Sequence, residues 1–192
     1  PVAIGALERY VADWQRNSGV EENPKIENKI NKNIAIIGGG PSGITTASDL
    51  AYLGYNVSIY EALPKLGGVL IYGIPDFRLP KDIVEKEINM LKKLGVKIFC
   101  NCIIGKTISL QKILSNNAAV FIGTGAGLPS FLNIEGENLI GIFTANEFLV
   151  RIILMHANKF PSSDTPYFLG KKISVIGAGN TAMDAARVAT RL

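Results

Sequence analysis

Apolar residues in this chain alternate between short runs and helical stripes. The runs at 33–37, 57–60, 96–100, 118–122 and 173–176 each have the length of a strand, and Ile34-Ala35-Ile36-Ile37 and Ala118-Ala119-Val120-Phe121-Ile122 are continuous enough for a parallel sheet covered on both faces. Residues 44–53, 82–94, 109–114 and 183–192 read as helices. In the second of these, Val84, Ile88, Leu91 and Leu94 share one face and Gly95 is the stop. Thr144 and Glu147 form a capping box, with Thr144 as N-cap, for a helix that turns Phe148, Leu149, Ile152 and Ile153 inward. Strands alternating with helices predict an α/β fold, a parallel sheet with helices on both faces.

Four segments break the alternation. In residues 1–20, Ile4, Leu7, Tyr10, Val11 and Trp14 lie on one face of an amphipathic helix, which is expected to pack on a part of the protein outside this sequence. Residues 21–32, rich in Glu, Asn and Lys, read as a solvated linker. In 64–80, Gly67, Gly68, Gly73, Pro75 and Pro80 exclude a regular helix, yet Leu66, Val69, Leu70, Tyr72, Ile74 and Phe77 keep the segment apolar. Such a loop packs on something flat or lines a site. Residues 162–170 read as a polar loop.

Composition narrows the classes. With 192 residues, 47% of them apolar, the chain can form one domain or one and a part. No apolar run approaches the roughly eighteen residues of a membrane-spanning helix, and no signal-peptide layout opens the sequence. The net charge of +4 comes from scattered basic residues without interleaved aromatics, which argues against a nucleic-acid partner. Cys100 and Cys102 form a C-x-C pair that cannot by itself hold an iron–sulfur cluster or a structural zinc, so no metal site is expected. They also lack the C-x-x-C spacing of a thioredoxin-like redox pair. Few cysteines and no leader point to a reducing compartment, the cytoplasm.

The run at 33–37 feeds directly into Gly38-Gly39-Gly40-Pro41-Ser42-Gly43, which has G-x-G-x-x-G spacing. A helix, a second strand and Glu61 follow, completing a βαβ unit suited to a dinucleotide. Gly38 permits the tight turn, Gly40 lets a pyrophosphate approach, and Gly43 lets the helix pack close to the strand. The helix N-terminus offers unpaired N–H groups to the phosphates, and Glu61 can accept from ribose hydroxyls. This unit alone leaves FAD and NAD(P) both open.

The pattern returns at Gly177-Ala178-Gly179-Asn180-Thr181-Ala182, a G-x-G-x-x-A turn. Two such turns imply two nucleotides face to face, FAD on the first and NAD(P)H on the second, with hydride passing between them and no catalytic side chain required. A nucleotide-binding module without chemistry is the alternative from another class. A disulfide reductase of the thioredoxin reductase type is disfavoured by the missing C-x-x-C.

The segment from Leu66 to Lys81, LGGVLIYGIPDFRLPK, resembles the signature of the glutamate synthase small (beta) subunit family, with its relatives in dihydropyrimidine dehydrogenase and NADH-dependent ferredoxin:NADP oxidoreductase. FIGTGAGLP from Phe121, TANEFL from Thr144 and VIGAGNTAMD from Val175 agree with it. The resemblance implies an NADPH-dependent FAD oxidoreductase that passes electrons through iron–sulfur clusters to a partner, the glutamate synthase large subunit or another acceptor. It carries the FAD contacts over to Gly38, Gly40, Pro41, Ser42, Glu61, Gly67, Gly68 and Arg78. Ile104, after the middle strand, would meet the adenine, and Thr124 and Gly125 would lie close to the FAD. Ala178, Gly179, Asn180, Thr181 and Ala182 would form the NADPH turn. The implied order is a helix (1–20) at the junction with an iron–sulfur domain, a linker (21–32), the N-terminal part of a Rossmann-like FAD-binding domain (33–170) and the start of a Rossmann-like NAD(P)H-binding domain (171–192). The cluster ligands are not in this sequence, and the resemblance places the rest of the NADPH domain and the segment that completes the FAD site after Leu192, so the fragment by itself is expected to hold FAD weakly and to be inactive.

Overall fold

Strand β1 (Ile30–Ile37) lies between β2 (Tyr55–Tyr60) and β4 (Ala119–Ile122), and β3 (Lys97–Phe99) flanks β2, giving the order β3-β2-β1-β4. All pairings are parallel, with Ile36 opposite Ile59 on one side and Phe121 on the other. The computed structural model describes residues 2–19, 25–26, 28–167 and 170–192. Residue 20, linker positions 21–24 and 27, and part of the loop at 162–170 lie outside the described residues.

Ile34, Ala35, Ile36 and Ile37 are all buried, as expected of a strand covered on both faces. Helix α2 (Pro41–Tyr52) lays Ala47 and Ala51 on this sheet, and α4 (Lys81–Lys93) adds Leu91, with Leu94 and Val96 just beyond it. Pro41 at the start of α2 suits a position whose N–H has no helical partner. The chain steps outward from β1 through β2 to β3 and then returns to the far side of β1 as β4. The crevice between the C-terminal ends of β1 and β4 is therefore the topological switch point, where open parallel sheets bind ligands.

Two smaller cores sit beside the sheet. Helix α3 (Val69–Tyr72) sets Ile71 and Tyr72 against Val84 of α4. Helix α6 (Ala145–Ile153) buries Leu149 and Ile152 with Ala157 and with Val188 of α7 (Asn180–Ala189). The Thr144 hydroxyl accepts from the Glu147 N–H at 3.3 Å, the N-cap half of the expected box. A short helix α5 (Leu110–Asn116) is capped the same way by Ser109.

Four expectations need correction. The run at 173–176 is not a strand: its residues are exposed and no described segment pairs with it, and a strand needs a neighbour to share its ladder. The strand before Ile104 is an edge strand of the sheet, not a middle one, because the chain crosses back after it. The loop at 64–80 contains one turn of helix, α3, between Gly68 and Gly73. Residues Ile30–Lys32 belong to β1 and not to the linker, because Ile30 pairs with Tyr55. The first helix, α1 (Ile4–Asn17), forms as predicted, but Ile4, Leu7, Tyr10, Val11 and Trp14 remain exposed. No helix among the described residues is long and apolar enough to cross a membrane.

Candidate functional site

At the switch point the backbone itself builds the site. Gly38 has φ +103°, and a Cβ there would stand 2.3 Å from the Gly123 carbonyl oxygen. Only glycine meets both demands. Gly123 donates its N–H to the Ile37 carbonyl at 2.8 Å, and the Thr124 backbone lies against Gly38. The exit of β4 is thus laid on the exit of β1, which brings Thr124 to the first turn; Thr124 and Gly125 are both exposed there. A Cβ on Gly43 would reach 2.0 Å from the Gly38 carbonyl oxygen, so this glycine does allow the close helix–strand contact.

Gly40 behaves differently. It has an ordinary extended conformation, φ −76° and ψ −174°, as N-cap of α2. A Cβ on it would meet nothing nearer than the Gly68 Cα, at 4.0 Å. The protein's own packing does not require glycine at 40, whereas an anion brought against the α2 N-terminus does, since a Cβ would fill that cradle. Pro41 and Ser42 are exposed on its rim.

The apolar loop closes over this turn. Gly67 donates its N–H to the Gly39 carbonyl at 2.7 Å. Gly68 has φ +52°, and a Cβ on it would stand 2.9 Å from the Gly40 Cα, so the two backbones touch. The Tyr72 hydroxyl bonds to both backbone groups of Lys65, accepting its N–H at 2.6 Å and donating to its carbonyl. Burial, and then the negative charge of Glu61, push this phenol up to about 12. The Lys81 ammonium donates to the carbonyls of Leu70 and Ile74, and burial draws its pKa down while Asp76 opposes this.

Glu61 is buried, 6% exposed. Its carboxylate accepts from the Gly39 N–H at 2.6 Å and the Leu63 N–H at 2.8 Å. It thereby acts as a brace for the glycine turn, a role the sequence reading, which aimed it at ribose hydroxyls, did not include. The anionic oxygens retain further lone pairs beside the turn. Ile104 is half-buried and bridges to Ile108, past Cys102. Cys100 and Cys102 are free thiols. Burial, then the charge of Glu61, raise the Cys100 pKa, which keeps it a thiol and a poor nucleophile at neutral pH. Among the described residues no three His, Cys, Asp or Glu side chains converge on a metal-sized space.

The second turn repeats the backbone of the first. Gly177 has φ +129°, and Gly179, the N-cap of α7, has φ −75° and ψ 171° with nothing within 4 Å of a Cβ. Ala178, Gly179, Asn180 and Thr181 are exposed, while Ala182 is buried. Arg78 is not aimed at the first turn. Its guanidinium, a third exposed at 34%, pairs with Asp184 on α7, whose carboxylate, at 4%, is buried beside it and has no other cation among the described residues. Beside this pair the Phe77 ring has the guanidinium carbons of Arg187 at 4.4 Å and Arg191 at 4.2 Å from its centroid. Asp184 was visible in the second motif, but nothing in the sequence tied it to a residue 106 positions earlier.

Residues 32–192 match the model of the pyridine nucleotide-disulphide oxidoreductase family. The chain is 31% identical to the glutamate synthase [NADPH] small chain of Azospirillum brasilense, over 99% of this chain and 40% of that protein. It is 36% identical to the NADP(+)-dependent formate dehydrogenase subunit beta of Moorella thermoacetica, over 100% of this chain and 29% of that one. The structure is similar to that of FprA from Mycobacterium tuberculosis in complex with NADPH, with a TM-score of 0.70 at 29% identity, over 83% of this chain and 36% of that chain. This chain therefore spans less than half the length of these relatives.

Proposed function

Since this chain belongs to the pyridine nucleotide-disulphide oxidoreductase family, we propose that it carries the FAD turn and the NAD(P)H turn of a flavin-dependent electron-transfer enzyme of the glutamate synthase small-chain type. The observation that carries this reading is the duplicated turn. Gly40 and Gly179 share one extended backbone conformation at a helix N-terminus, and each faces a space that the protein leaves free of a Cβ. Both fit a pyrophosphate, and two such cradles in one chain fit a pair of nucleotides.

In this reading Gly38, Gly40, Pro41, Ser42 and Gly43 hold the FAD pyrophosphate by backbone N–H groups and helix dipole. Glu61 keeps the turn in shape through Gly39 and offers its remaining lone pairs to the ribose. Gly67 and Gly68 cover the turn, and Thr124 and Gly125 form its far wall. Ile104 lies on the adenine side. Arg78 serves from the loop, at the boundary with the second turn. Ala178, Gly179, Asn180, Thr181 and Ala182 receive the NADPH. When bound, the two cofactors supply hydride chemistry: two electrons and a proton pass from reduced nicotinamide to flavin. The protein contributes binding, orientation and exclusion of water.

We assign residues 33–170 to the FAD-binding domain and 171–192 to the start of the NAD(P)H-binding domain. The amphipathic face of α1 and the linker would join these to an iron–sulfur domain. Electrons would then reach an acceptor such as a glutamate synthase large subunit, in the cytoplasm. The test is cofactor content. Purified with its full natural sequence, the protein is expected to be yellow and to release FAD on denaturation; a colourless protein that takes up no added FAD contradicts the reading.

A further inference from the structure

The loop at 64–80 touches both nucleotide turns. At one end Gly67 and Gly68 lie on Gly39 and Gly40 of the first. At the other, Phe77 and Arg78 meet Asp184, Arg187 and Arg191, which follow Gly179 of the second on one side of α7 and just past its end. Spacings of three and four place these three on one helical face. Between the two contacts the loop is stiffened by α3, by the Tyr72 hydroxyl on Lys65 and by the Lys81 ammonium on Leu70 and Ile74. It forms a short, braced strap from one phosphate cradle to the other.

Asp184 is the oddest member of this contact. It is only 3% exposed, its Oδ2 takes the Arg78 guanidinium, and its Oδ1 is buried without a hydrogen-bond partner. An apolar residue would bury more simply, since a buried ion pair is a poor source of stability. A directional charge pair instead fixes one register between two surfaces.

We propose that Asp184 is a positioning residue for hydride transfer: by holding Arg78, it locks α7 and its nucleotide turn to the strap that covers the other turn, and so sets the separation of the two nucleotides. This rests on the proposed NAD(P)H-to-FAD reading. It predicts an effect on the rate of flavin reduction and not on cofactor occupancy, because neither Asp184 nor Phe77 lines a cradle. A displacement of about 1 Å can cost about a hundredfold in rate.

The experiment is anaerobic stopped-flow reduction of the FAD-loaded, full-length protein by NADPH. Asp184→Asn is expected to keep its flavin and its apparent affinity for NADPH within about threefold, and to be reduced about ten- to a hundredfold more slowly. Phe77→Leu, which removes the ring that both guanidinium groups contact, should slow reduction in the same sense and serves if Asp184→Asn does not fold. Asp184→Glu should recover part of the rate. Flavin reduction at the wild-type rate in the folded variants, or a loss confined to FAD content and melting temperature, overturns the positioning role. If the unaltered protein holds FAD and is not reduced by NADPH at all, the functional reading fails instead.

Discussion

The Glu61 carboxylate accepts the Gly39 N–H at 2.6 Å across 22 positions of sequence, tying the end of β2 to the middle of the glycine turn after β1. A buried carboxylate is stable only with such partners, and a backbone N–H inside a glycine turn has few alternatives. The pair therefore shapes the turn before any ligand arrives. Glu61→Gln weakens one charge-assisted bond and sets its amide NH2 against the other backbone donor. It should lower folding stability by about 1–3 kcal/mol, measured by urea unfolding, and reduce FAD retention on gel filtration. A variant as stable as the parent, with full FAD content, would show that the charge is dispensable.

Gly40 and Gly43 make opposite predictions from the same motif. Gly43→Ala places a Cβ 2.0 Å from the Gly38 carbonyl oxygen and should destabilise the fold by about 1–3 kcal/mol. Gly40→Ala meets no protein atom closer than 4.0 Å and should leave stability unchanged or raise it by up to about 1 kcal/mol. It should nevertheless weaken FAD binding at least about tenfold, a change of about 1.4 kcal/mol. Thermal melts of the apoprotein beside flavin fluorescence titrations separate the two effects.

Gly179→Ala applies the same reasoning to the second turn, where nothing lies within 4 Å of a Cβ. The substitution should raise the KM for NADPH by about tenfold, equivalent to about 1.4 kcal/mol, while FAD content stays at the parental level. Loss of FAD with an unchanged KM would reverse the assignment of the two turns.

Tyr72 gives a pH signature. Its pKa is held up to about 12, above its ordinary value of 10.0, first by burial and then by Glu61. Between those values the unfolded chain has lost the phenolic proton and the folded chain has kept it. Stability from this group is therefore fully present below pH 10 and is lost as pH rises toward about 12. Tyr72→Phe should cost about 1 kcal/mol at neutral pH through the lost bonds to Lys65 and should flatten the fall in melting temperature across that alkaline window. An identical slope in both proteins would place the titration elsewhere.

The sheet and its first turn were legible because their signals are local. A continuous apolar run such as Ile34–Ile37 demands cover on both faces, and Gly38 and Gly43 each answer a steric need within a few residues. The run at 173–176 carries the same local signal and forms no strand, because a ladder also needs a partner and none of the described segments supplies one. Tertiary pairing was not legible. Arg78 and Asp184 each stand in a recognisable motif, yet only the approach of α7 to the loop at 64–80 makes them a pair. Glu61 stood at the expected end of β2, and its occupation by Gly39 and Leu63 follows from how the chain returns to the turn, which spacing does not encode.

The most direct test is an anaerobic titration of the full-length, FAD-loaded protein with NADPH, followed in the flavin absorption bands. The bands are expected to bleach with one equivalent of NADPH per flavin, and Gly179→Ala is expected to shift this to higher NADPH concentration. Flavin that stays oxidised in excess NADPH and NADH, in a protein that retains its FAD, would contradict the claim that the two turns hold a hydride donor and its acceptor.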